Sequence, residues 1–133
     1  MADVDIRIVL EDRVGEDADS RFEPASVVRG TARLRASDDV DCQRVLASLE
    51  WHTEGRGDRD GAVVDSVQLL QGQLRADTPI SQSFSFTVPS EPWSYAGYYI
   101  NIVWEITVTV DIPLARDINR TKQIVVAPQN IGS

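Results

Sequence analysis

Between Tyr98 and Ile112 the chain reads Tyr-Tyr-Ile-Asn-Ile-Val-Trp-Glu-Ile-Thr-Val-Thr-Val-Asp-Ile. Ile100, Ile102, Trp104, Ile106, Val108, Val110 and Ile112 fall on one side of a two-residue repeat, and Asn101, Glu105, Thr107, Thr109 and Asp111 on the other. Side chains of a strand alternate between its faces, and β-branched and aromatic residues suit a pleated surface, so the stretch predicts a long, half-buried strand. A helix would scatter the same seven apolar residues around its circumference. The rest of the chain is organised around it, as partner strands of one all-β fold.

Those partners are legible along the chain. Val4, Ile6, Ile8 and Leu10 alternate with Asp5, Arg7 and Val9 in a first strand, and the acidic stretch from Glu11 to Ser20 reads as a loop. A second strand sets Val28, Gly30, Ala32 and Leu34 inward against Arg29, Thr31, Arg33 and Arg35, with Gly30 marking a bulge or a close backbone approach. Ser37-Asp38-Asp39 turns the chain, and Val45, Ala47, Leu49 and Trp51 continue the alternation to His52. From Thr53 to Gly61 three glycines and five charged residues predict a hairpin tip. In Ala62 to Leu74 the residues Val63, Val67, Leu70 and Leu74 sit at helical spacing, but a bulged strand also fits, and the surrounding strands favour it. Phe84, Phe86 and Val88 form a further strand that Pro89 and Pro92 end. Pro113 to Asn119 reads as a loop, and Ile124 to Val126 as the closing strand. About seven strands and no convincing helix predict an all-β, immunoglobulin-like antiparallel sandwich, one domain over residues 1–133.

Charge and cysteine content narrow the role. A formal net charge of -8 makes the average surface repel nucleic acid and anionic lipid, so nucleic acid is not an expected partner. The single cysteine, Cys42, closes no intrachain disulfide, and Met-Ala-Asp-Val-Asp lacks the basic and apolar regions of a secretory signal, so a cytoplasmic setting is expected. No apolar run nears the ~20 residues that span a bilayer.

The block from Phe84 to Pro113 carries a resemblance. Phe84-Ser85-Phe86-Thr87-Val88-Pro89, Pro92-Trp93-Ser94-Tyr95-Ala96-Gly97, Ile100-Asn101-Ile102-Val103-Trp104-Glu105-Ile106 and Val110-Asp111-Ile112-Pro113 are similar to the second half of an arrestin N-terminal-type domain. The first half, through Phe22, Pro24 and Val28-Arg29-Gly30, agrees more loosely. The resemblance implies a sandwich used as a scaffold, as in arrestins, retromer-type Vps26 subunits and the sporulation-control protein Spo0M. Arrestins carry two such domains and this sequence one, so their interdomain switch and receptor recognition are not carried over.

Candidate chemistry centres on His52 with Glu54, Asp58 and Asp60, residue types that ligate divalent metals and would serve a metal-dependent enzyme. Their spacing matches no metal motif, and a solvated hairpin tip accounts for them. Arg56-Gly57-Asp58 spells an integrin-recognition tripeptide, for which a glycine turn is the simpler reading. Cys42 reads as a passive thiol, because its one histidine partner would be His52 and no cofactor motif accompanies it. Trp93 and Tyr95 lie by a proline-rich turn, and Val103 sits mid-strand on the outer face; these are the candidate protein-interface residues. The resulting expectation is a non-enzymatic scaffold or adaptor that meets a protein partner through a sandwich edge or its loops. A homo-oligomer is also expected, through Val9, Val27, Leu46, Val103 and Trp93, which the alternation assigns to solvent.

Overall fold

The computed structural model describes residues 4–10, 20–55, 60–96, 100–113 and 116–126, with the side chains of residues 20, 21, 95, 96 and 100 excepted. Nine strands occur in them: β1 (Val4–Leu10), β2 (Ser20–Phe22), β3 (Val27–Ala36), β4 (Val40–Gly55), β5 (Gly61–Leu74), β6 (Ile80–Thr87), β7 (Tyr95–Ala96), β8 (Ile100–Asp111) and β9 (Ile118–Val126). Seven are long, as the sequence predicts, and β2 and β7 are short additions. A small sheet has the order β1-β3-β6, and a larger one the order β2-β9-β8-β4-β5 with β7 paired to β8. All neighbours are antiparallel except β2, which runs parallel to β9.

The predicted central strand, β8, lies between β4 and β9. Trp104, Ile106, Val108 and Val110 on its inner face are fully buried, whereas Ile102 and Ile112 near its ends are half-buried. Across the sandwich they meet a layer that includes Val28, Ala32, Leu34, Phe84, Phe86 and Val88. Each such aliphatic or aromatic side chain removed from water contributes about 1.5–3 kcal/mol before chain entropy is counted.

Gly30 is a close approach and not a bulge, because the β1–β3 and β3–β6 registers run without interruption through it. A Cβ there would stand 2.7 Å from Phe84 Cζ and 2.9 Å from Leu10 Cδ2. Glycine thus lets the central strand of the small sheet pass beneath the Phe84 ring.

Ala62 to Leu74 is strand throughout, and a bulge accounts for the three-residue step from Val67 to Leu70 in its misleading period, while Val63 lies on the outer face opposite Glu50. The β4–β5 register steps from Leu49↔Asp65 to Glu50↔Val63 and from Val45↔Leu70 to Leu46↔Gln68, so Val64 and Leu69 are extra residues on β5. Each bulge adds one residue between inward positions, turning a spacing of two into three. Ala62, Asp65, Val67 and Leu70 therefore share the inner face of Trp51, Leu49, Ala47 and Val45. The small sheet does not reach over the start of β5, and Gly61–Gln68 is exposed on both faces. Two boundaries differ from expectation: β4 runs on to Gly55, into the predicted hairpin tip, and β9 begins at Ile118, inside the predicted loop. Cross-strand bonds explain the first, since β8 pairs with β4 as far as Gly55.

Two substitutions test this packing. Trp104→Ala should destabilise by about 3–5 kcal/mol in urea unfolding, the usual cost of emptying an aromatic site in a core. Gly30→Ala should cost about 1–3 kcal/mol by overpacking against Phe84 and Leu10. A melting temperature unchanged in either variant would contradict the assigned faces.

Candidate functional site

The segment between β6 and β7 is held at several points. Trp104 donates its indole N–H to the Pro92 carbonyl at 3.0 Å, bridging the core to this loop. Ser94 exchanges bonds with Val126: its amide donates to the Val126 carbonyl at 2.7 Å, and its hydroxyl accepts from the Val126 amide at 2.9 Å. Upstream, the Val88 amide donates to the Ser26 carbonyl at 2.8 Å. On this anchored segment Trp93 is 49% exposed, and its indole N–H donates to the Ser90 carbonyl at 2.8 Å. The ring is thus fixed in orientation while much of it meets water.

Two adjoining hollows flank it. One, of about 410 Å³, is lined by Ser90, Glu91, Pro92, Trp93, Ser94 and Ile102. The other, of about 370 Å³, shares Ser94 and Ile102 and adds Val103, Glu54, Asn101 and Gln123 among its walls. The structure therefore brings two of the sequence-predicted interface residues, Trp93 and Val103, to neighbouring hollows. Tyr95 pairs through its backbone with Ile102, and its side chain lies outside the described residues. The other apolar residues that the alternation assigns to solvent do not line these hollows: Val9 and Val27 lie exposed on the outer face of the small sheet, and Leu46 is half-buried on the outer face of the large one.

His52 lies next to Val103, its cross-strand partner on β8. Its Nε2 is 2.8 Å from Glu54 Oε2 and its Nδ1 3.0 Å from Glu105 Oε1. A ring can donate to carboxylates from both nitrogens only as the imidazolium. The hydrogen bond to Glu54 raises the His52 pKa above its ordinary value, aided by the charges of Glu105 and Glu50, against a smaller opposing effect of burial. Burial raises the Glu105 carboxyl, and the His52 charge partly offsets it. Glu50, directly opposite Glu105, accepts a 2.8 Å bond from the Thr107 hydroxyl.

His52, Glu54 and Asp60 also line one hollow of about 390 Å³. Asp60, however, spends its groups on the hairpin: its backbone bonds to Thr53, and its carboxylate accepts from the Gly61 amide. Among the described residues no group of three or more His, Cys, Asp or Glu is arranged to hold a metal ion. Asp58 and the Arg56–Asp58 tripeptide lie outside the described residues. Glu105, which completes the cluster from a strand 53 positions away, has no local signal in the sequence; only the alternation, placing it outward in mid-strand, narrows the choice. Cys42 is buried, its thiol 3.0 Å from the Gly72 carbonyl, and burial pushes its pKa up, away from the reactive thiolate.

The fold these elements make is an arrestin-like β-sandwich. It matches the structure of the sporulation control protein Spo0M from Bacillus subtilis with a TM-score of 0.74 at 16% sequence identity, over 95% of this chain. The chain spans about half the length of that protein, covering 50% of it. No family model matches the sequence, and no curated protein does. Among the described residues no helix is long and apolar enough to cross a membrane.

The His52 ion pairs have a pH signature. A histidine whose folded pKa lies above its unfolded value of ~6.5 stabilises fully below that value, and the contribution fades as pH rises through the folded pKa. Glu105, also raised, acts in the same direction from lower pH. The stability difference between the parent and His52→Gln should therefore be largest below pH ~6.5 and shrink as the pH rises above it. Because His52 is the one histidine of the chain, a single imidazole titration by NMR checks the sign directly.

Proposed function

We propose that this sandwich is a non-enzymatic, cytoplasmic adaptor module, and that it engages a protein partner at the Trp93 loop, with Val103 and Tyr95 at the margin. One observation carries the reading: Trp93 is half in solvent yet held by its bond to Ser90, on a segment tied to Trp104 and Val126. A large aromatic fixed in its bound orientation loses little entropy on association, and tryptophan is enriched among residues that dominate binding energy. The adjoining hollows give a partner's side chains somewhere to seat. The arrestin-like fold agrees with a regulatory role, since the structural relative is named as a sporulation control protein.

A photo-crosslinking residue at Ser90, in the hollow beside an intact Trp93, compared with one at Ser83 on the opposite sheet, should capture a partner from the source cell selectively. Trp93→Ala should then weaken that partner's affinity about 30-fold, the level of a binding hot spot, with the melting temperature held. Equal capture from both positions, or affinity unchanged in Trp93→Ala, would reject this surface.

A further inference from the structure

The net charge of -8 is an average over the surface, and the two sheets depart from it in opposite directions. On the outer face of the large sheet stand Glu50, Glu54 and Glu105. The outer face of the small sheet carries Arg7 from β1 and Arg29, Arg33 and Arg35 from β3, all exposed. Beside them β6 presents Ser81, Ser83, Ser85 and Thr87, also exposed. Asp5 is the one carboxylate on these three strands.

Few of these arginines are neutralised. Arg7 approaches Asp5 at 3.7 Å and Arg35 approaches Asp77 at 3.2 Å, both in solvent-exposed pairs that contribute little. Arg29 and Arg33 have no ion pair among the described residues. The register sets Asp5 opposite Arg35, a favourable pair, but Arg7 directly opposite Arg33, a like-charge pairing that destabilises a sheet. The fold thus carries an electrostatic cost on this face that a bound anion would remove.

The shape of the face selects among anionic partners. Both pairings in the small sheet run in regular register with no bulge, so the four guanidinium groups and the β6 hydroxyls form one open array. Three of the arginines form one row on β3 and Arg7 stands beside that row on β1, so a planar anionic partner can engage all four together. Val9 and Val27, 44% and 41% exposed, add apolar contact at the same end of the array. The carboxylates of the large sheet are a full sandwich away, with layers ~10 Å apart. That exceeds the ~8 Å screening length at physiological salt. We infer that the outer face of the small sheet docks on an anionic lipid bilayer through Arg7, Arg29, Arg33 and Arg35. This reading is independent of the Trp93 surface.

The test is co-sedimentation with vesicles of phosphatidylcholine alone and with about a third phosphatidylserine. The parent should bind the anionic vesicles at low salt, release at high salt, and ignore the neutral ones. Arg29→Gln with Arg33→Gln should weaken binding about 25-fold, close to fivefold per arginine, without lowering the melting temperature. Trp93→Ala should bind vesicles like the parent, which separates this proposal from the protein-binding one. Failure of the parent to bind anionic vesicles, equal binding by the double variant, or retention on polyglutamate without binding to vesicles would each overturn it.

Discussion

Trp104 ties the molecule together. Its ring is fully buried on the central strand, and its indole N–H leaves the core by one bond, to Pro92. A buried indole needs an acceptor, and the loop after β6 supplies it; the same bond anchors the segment that presents Trp93 to solvent. Core packing and the exposed ring are thus coupled through two residues in sequence, Pro92 and Trp93. The Ser94–Val126 exchange adds a second attachment, so the loop belongs mechanically to the large sheet.

The two outer faces differ in chemistry because each strand contributes its alternate residues to one side. β3 places arginines at Arg29, Arg33 and Arg35 with Thr31 between, while β4 and β8 place Glu50, Glu54 and Glu105 around His52. On the large sheet the His52 imidazole and the Thr107 hydroxyl stand among these carboxylates and bond to them. The small sheet lacks an equivalent carboxylate between Arg7 and Arg33 among its described residues. The acidic face is therefore largely satisfied within the molecule, and the basic face is available to a partner. A sandwich of this construction can meet a protein at one end and a charged surface on one side, without the two contacts competing for the same residues.

Local alternation was enough to recognise β8, β3, β6 and the all-β class. Gly30 was legible in part, as either a bulge or a close backbone approach, and the uninterrupted register decided for the second. The passive character of Cys42 followed from its lack of partners and agrees with its burial. All of these are properties of one strand and its immediate sequence, where a period of two says which residues face in.

What the tertiary structure decided depends on which strand lies beside which, and in what register. The bulge that sets Val67 and Leu70 three residues apart on one face of β5 exists only relative to β4. Glu105 meets His52 because β8 pairs with β4, a contact between residues far apart in the chain. The charge separation has the same origin: a net charge is a sum that discards direction, and only the pairing of β1 with β3 gathers four arginines on one side. Sequence by itself determined which faces of the strands are apolar, because alternation is local. Pairing decided what stands next to what, because register is set by long-range contacts.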